Sequence, residues 1–401
     1  MKTIRFRDLS VAEKLASKTR KYFTLLFSFL LISLCILMVL NIDQKINALI
    51  LYVSIVTAYT AFALKVKECS ATFRLLIIVG ILYRFLPCLT VSTTFSTDII
   101  QYQYLGDKIL NGQVPYKDFP APYPPLSIYI IVPFLMAGNV RLLKLFFVIC
   151  DLAIIFIIYN MLKSRKLPLE RVRLLSLILL FFPVSLLEYS FSGHNDSFTL
   201  LLLITSIIFL DNKPALSSIF LCLSICSKIF PVAAIPFILK HFLSVNRKAA
   251  LRFLLTLFPV LGLISSPFIF LSFNAYFDMF LGVSRFSIPY GFFQTLLFKL
   301  IDGPLEATIM PVLIVSFSIS IVIFLLIFAF SYFHAWSLEK SLSVTLVFLP
   351  FLLPQFQPWY LLWSLPFVIL YFSKNWKFTK AYILLLLFVH TLCYLMPLYI
   401  G

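Results

Sequence analysis

Residues Ser96–Leu126 read STDIIQYQYLGDKILNGQVPYKDFPAPYPPL, the longest polar interruption in an otherwise largely apolar chain. The stretch carries Asp98, Asp107 and Asp118, the rings of Tyr102, Tyr104, Tyr116 and Tyr123, and prolines at 115, 120, 122, 124 and 125. Asn111-Gly112 and Val114-Pro115 are turn signals after a short helix, and Tyr123-Pro124-Pro125 is a stiff return into apolar sequence. Read this way, the stretch is a loop between membrane helices. Asp98 directly follows an apolar helix, which places it at the membrane surface. A carboxylate held there can take a proton from a hydroxyl. Ser96 and Thr97 beside it allow the plainer reading of a helix cap.

The surrounding sequence sets the fold class. Of 401 residues, 61% are hydrophobic and 12% charged, far from the composition of a soluble domain. Many apolar segments exceed the 18 or so residues that cross a bilayer. No alternating strands of the β-barrel kind are present. The expected fold is an all-α polytopic membrane protein of about 11–13 transmembrane helices. Spans are expected near residues 22–41, 47–64, 74–93, 142–162, 174–191, 197–210, 214–227, 231–243, 253–271, 309–331, 341–353, 360–372 and 381–399. Those at 197–210, 214–227, 231–243, 341–353 and 360–372 are short for a hydrocarbon core of about 30 Å. Leu126–Ala137 reads as a re-entrant or interfacial segment. The basic N-terminal stretch lacks a small-residue cleavage site and is followed by a long apolar run, so the first helix is expected to stay as an anchor. Residues 1–73 form a basic N-terminus with two additional spans. Residues 74–401 form the main domain, with outer loops 94–140 and 272–308. Within the second loop, Ser284–Gly303 reads as an amphipathic interfacial helix.

A net charge of +17 does not point to nucleic acid, because the basic residues lie in short loops between spans. With the N-terminus inside, most of the 33 lysines and arginines fall on the inner side. Four polar clusters then fall outside: Thr97-Asp98-Ile99, Gly193-His194-Asn195-Asp196, Ser227-Lys228-Ile229-Phe230-Pro231 and Gln355-Phe356-Gln357-Pro358-Trp359-Tyr360. Distant clusters on one face are what an active site assembled from loops requires. His194, Asn195 and Asp196 exceed what one helix cap needs. Lys228 reads either as a snorkelling lysine or as a phosphate ligand. Gln357, Trp359 and Tyr360 sit at an interface, where aromatic residues are common. Arg84 and Asp151 lie deep in their spans and read as a structural ion pair. The seven cysteines read as packing residues; Cys222 and Cys226 share a helix face but have no nearby pair to complete a metal site.

In this order the clusters resemble the GT-C superfamily of membrane glycosyltransferases. The similarity is to the enzyme that adds the first mannose to glycosylphosphatidylinositol and to its prokaryotic polyprenyl-dependent relatives. It covers roughly residues 74–372 and rests on the Thr97–Leu126 loop together with KLFFVICDLAIIFIIYNML, GHNDS, CSKIFPVAAIPF and QPWYLLW. Where that enzyme has Asp-x-Asp, only Asp98 matches, and the second acid is Ile100. A single carboxylate is a poor divalent-metal site, so no metal and no cofactor are expected.

The resemblance implies transfer of a sugar, a mannose in its closest likeness, from a polyprenyl-phosphate donor to a lipid- or glycan-linked hydroxyl acceptor, with inversion. Asp98 would be the base and Lys228 would stabilise the leaving phosphate. Tyr102, Tyr116, His194, Asn195, Asp196, Gln357, Trp359 and Tyr360 would line the substrate site. Membrane lipids are the remaining partners. The location would be the cell membrane in a prokaryote and the endoplasmic reticulum in a eukaryote. A flippase or transporter of lipid-linked sugars is the alternative. It calls for charges on both faces or at the midplane, with repeat symmetry. A structural subunit without activity is a third reading.

Overall fold

A computed structural model of the chain describes residues 55–56, 59–60, 73–90, 96–281, 305–353 and 356–395. The expected span 22–41, most of 47–64, the interfacial helix at Ser284–Gly303 and Gln355 lie outside the described residues. The described part is helical, without a strand. In chain order the helices are α1 (Phe73–Thr90), α2 (Thr97–Leu110), α3 (Pro125–Met136), α4 (Val140–Ser164) and α5 (Leu169–Leu180). They continue with α6 (Asp196–Phe209), α7 (Pro214–Ser227), α8 (Ile235–Val245), α9 (Arg247–Leu271) and α10 (Phe273–Leu281). The last are α11 (Leu305–Phe333), α12 (Leu338–Leu352), α13 (Leu365–Phe372) and α14 (Trp376–Leu395).

Among the described residues, four stretches are long and apolar enough to cross a membrane: Val140–Ser164, Leu169–Phe191, Arg247–Leu271 and Ile314–Phe333. The expected spans at 197–210 and 214–227 form helices of 14 residues each. At 1.5 Å per residue such a helix is about 21 Å long, less than a bilayer core. Prolines set several of the boundaries. Pro125 and Pro214 stand in the first turns of α3 and α7, where a missing N–H costs nothing. Pro231 and Pro358 lie in 3₁₀ turns, Phe230–Ala234 and Pro358–Trp363, that replace the starts of the expected spans at 231–243 and 360–372.

The run Leu169–Phe191 is continued past α5 by a turn at Pro183–Ser185 and a π-helical turn at Leu186–Phe191. Pro183 cannot return an N–H to the Leu179 carbonyl four residues back. Arg84 of α1 repairs the break. Its Nη2 donates to Leu179 O at 2.7 Å and to Ser185 Oγ at 2.8 Å, and its Nε donates to Leu180 O at 2.9 Å. Arg84 Nη1 also pairs with Asp151 of α4. The expected ion pair is therefore present and is also a backbone clamp.

Small polar residues let the central helices approach closely and satisfy one another away from water. Ser206 Oγ donates to Ser217 O at 2.8 Å, Ser224 Oγ to Thr199 O at 2.8 Å and Ser218 Oγ to Phe253 O at 2.7 Å. One large apolar core runs through these helices. A second, smaller core lies beneath the polar loop and holds Ile99, Tyr102, Tyr116, Phe119 and Tyr123 against Phe147, Phe268 and Tyr276. The loop is thus packed as a lid with its own core. Asp118 serves that structure, accepting from Val114 N at 2.7 Å.

Charges at the opposite end of the bundle are paired separately. Arg165 bonds Glu339 and the Leu370 carbonyl, Arg173 pairs with Glu170 at 3.0 Å, and His241 meets Asp211 at 2.6 Å.

Candidate active site

The C-terminal end of the α5 run, the first turns of α2 and α6, the last residue of α7 and the Pro358–Trp363 turn meet at one end of the bundle. Ser96 caps α2, accepting from Asp98 N at 3.1 Å. The capping role belongs to Ser96, so the Asp98 carboxylate is available for something else. Its Oδ2 lies 2.6 Å from His194 Nδ1. The Asp98 side chain is 22% exposed and that of His194 5%.

Gly193 makes this approach possible. Its φ is +71°, and a Cβ there would stand 2.7 Å from Ile99 Cδ1. Only glycine has both the left-handed freedom and the missing atom. His194 then turns inward. Its Nε2 is 3.0 Å from Glu188 Oε2, and its ring stacks on Trp359 with centroids 4.2 Å apart. Burial opposes a charge on His194, but Asp98 and Glu188 outweigh it and push the imidazole up to about 10.

Neither Asn195 nor Asp196 caps α6. Asn195 Nδ2 donates to Ser127 Oγ at 2.9 Å, and Ser127 Oγ donates to Ser227 O at 2.6 Å, joining α3, α6 and α7. Asp196, fully buried, accepts on Oδ1 from Lys228 Nζ at 2.7 Å and from Trp363 Nε1 at 2.5 Å. Lys228 lies 5.0 Å from the Tyr360 ring centre and 5.7 Å from that of Trp363. Burial opposes its charge, and Asp196 and Tyr360 prevail to raise its pKa. Its side chain is 23% exposed. Asn195 Oδ1, Asp196 Oδ2 and Trp359 Nε1 are buried and find no hydrogen-bond partner among the described residues.

Of the residues singled out in the sequence, Asp98, His194, Asn195, Asp196, Lys228, Trp359 and Tyr360 are brought together. Tyr102 lies beneath them, its ring 5.0 Å from Tyr123 and 6.4 Å from Phe147. Tyr116 lies in the core of the lid. Its φ is +67°, its hydroxyl donates to the Tyr123 carbonyl, and its ring meets Phe268 and Tyr276 edge-on. Gln357 precedes the 3₁₀ turn and accepts on its carbonyl from Tyr360 N at 3.0 Å. Among the described residues no three His, Cys, Asp or Glu side chains converge as a metal site.

Three site residues escape a reading by cluster. Glu188 and His390 lie inside apolar runs, and Trp363 stands one helical turn beyond the Gln355–Tyr360 motif. An acid within a span is itself a functional signal, and Glu188 carries it.

No protein-family model matches the chain, and neither the curated proteins nor the solved structures contain a significant match.

Proposed function

We propose that the chain is a membrane glycosyltransferase of the GT-C kind, with a bundle of about 11–13 spans and its site on the outer face. It would move a sugar, in the closest likeness a mannose, from a polyprenyl-phosphate carrier to a lipid- or glycan-linked hydroxyl. One observation carries the reading. Asp98 and Lys228 are opposite charges, each about one-fifth exposed, at the rim of a polar cluster in which His194, Asn195, Asp196, Tyr360 and Trp363 are buried and Trp359 is half-buried. A substrate reaching that rim meets a carboxylate and an ammonium group together.

The chemistry follows from that pair. The acceptor oxygen attacks the anomeric carbon from the side opposite the phosphate, and its proton passes to Asp98. The bond between the anomeric carbon and the phosphate oxygen breaks, and its electron pair leaves with the phosphate. Lys228 is neutralised by Asp196 in the resting site, but its ammonium has three N–H groups and can also hold the departing oxygen. The unpartnered Asn195 Oδ1, Asp196 Oδ2 and Trp359 Nε1 offer both acceptors and a donor, the mixture that sugar hydroxyls satisfy.

The chain of titratable groups from Asp98 through His194 and Glu188 to His390 favours a second reading, a lipid-linked sugar flippase or transporter driven by protons. Incubation of the purified protein with radiolabelled polyprenyl-phosphate sugars and host lipid extract separates the two. A labelled glycolipid with release of polyprenyl phosphate supports transfer. Movement of intact donor across a vesicle membrane without new covalent product supports transport.

A further inference from the structure

Glu188 is fully buried in an apolar run that winds as a π-helix, with Ser192 N reaching back five residues to Leu187 O at 2.9 Å. Such turns recur at functional sites because the extra residue redirects side chains. Each oxygen of Glu188 faces a different imidazole. Oε1 is 2.8 Å from His390 Nε2 on α14, and Oε2 is 3.0 Å from His194 Nε2. The Glu188 carbonyl also accepts from His194 N at 2.9 Å.

The proton inventory is restrictive. An ionised carboxylate only accepts, so an imidazole nitrogen held against it must carry hydrogen. His194 has a carboxylate on each nitrogen, Asp98 on Nδ1 and Glu188 on Nε2. With both acids ionised and an oxygen within 3.0 Å of each ring nitrogen, the doubly protonated imidazolium is the form that sets no nitrogen lone pair against a carboxylate. Asp98 alone would require one. Glu188 therefore determines the second.

We propose that Glu188, held by His390, is a positioning residue that keeps His194 doubly protonated, so that the imidazolium aims the Asp98 carboxylate at the rim of the site. The link to Asp98 as base rests on the transferase reading; the charge arrangement itself does not. Other groups lie around His194. Lys144 of α4 is buried with its stem beside Gly193, and Lys228 after α7 is held by Asp196. Asp196 of α6 is engaged by Lys228 and Trp363, and Trp359 covers the ring face. Without the Glu188 charge, Asp98 alone would support the imidazolium against the cost of burial.

The test is nuclear magnetic resonance of the full-length protein in lipid nanodiscs with labelled histidine, the His194 signals being assigned from an H194Q sample. Wild-type His194 should carry both ring protons throughout the neutral range. Glu188→Gln should lower its transition by about 1–3 pH units, the span expected when a nearby opposite charge is lost. His390→Gln, which keeps a donor to Glu188, should lower it less, and it stands in if the first variant fails to fold. A transition unmoved in a folded variant, or a singly protonated His194 in the wild type at neutral pH, overturns the proposal. Neither result depends on turnover, so failure of the transferase reading shows separately, as absence of product in the wild type. If the wild type does turn over, Glu188→Gln should shift the pH profile of kcat and leave KM near its original value.

Discussion

Replacing Arg84 by methionine should be among the most damaging single changes in the bundle. The methionine keeps much of the apolar stem and removes only the guanidinium. Three losses follow. Asp151, 7% exposed, becomes a buried carboxylate without its counter-ion. The carbonyls of Leu179 and Leu180 lose donors at the Pro183 break. Ser185 loses a partner as well. Breaking a buried pair from one side costs about 3–5 kcal/mol. Asp151→Asn should cost less, since Arg84 keeps both carbonyls and Ser185. The double variant has no uncompensated charge, so it should lie well above the sum of the singles, with a coupling of about 0.5–3 kcal/mol. Denaturant or thermal unfolding of the four proteins in one detergent gives the cycle. Additive losses, or Arg84→Met as stable as the wild type, would refute the clamp.

Gly193→Ala should cost about 1–2 kcal/mol for the left-handed backbone alone, and the Ile99 contact should displace His194 from Asp98. Thermal unfolding and the His194 resonances report the two effects separately. The pH dependence has a definite sign. The His194 pKa is raised from 6.5 to about 10, so its charge contributes stability that is complete below the lower value and lost as pH rises through the higher one. The unfolding midpoint should fall over that window in the wild type, and His194→Gln should flatten the fall. For topology, single cysteines at Lys117 and Ser164, both on exposed positions, should differ in intact cells. An impermeant thiol reagent should label the first and spare the second; the reverse pattern would overturn the outer placement of the site.

Much of the helical order is legible from apolar run length, and the convergence of Asp98, His194, Asn195, Asp196, Lys228, Trp359 and Tyr360 follows from placing their clusters on one face. Two kinds of feature are not legible. The first is local backbone geometry. Nothing in LLEYSF announces a π-turn, and the run 174–191 reads as one span because Arg84, far away in sequence, heals the break at Pro183. The second is pairing between distant residues. Glu188 and His390 each look like an isolated polar residue in an apolar run, and only packing of α14 against the α5 run brings them within 2.8 Å. Tyr116 shows the opposite case. A tyrosine in a polar loop reads as a substrate contact, yet Tyr116 is buried against Phe268 and Tyr276.

The central claim is that Asp98 takes the proton of the acceptor hydroxyl. Asp98→Asn preserves size, and Ser96 retains the helix cap, so fold and donor binding should stay near normal. A positioned base contributes roughly a hundred- to ten-thousand-fold in rate. Single-turnover transfer from a radiolabelled polyprenyl-phosphate sugar, measured for wild type and Asp98→Asn at saturating donor, should therefore differ by about two orders of magnitude or more. Equal single-turnover rates in two equally folded proteins would contradict the account.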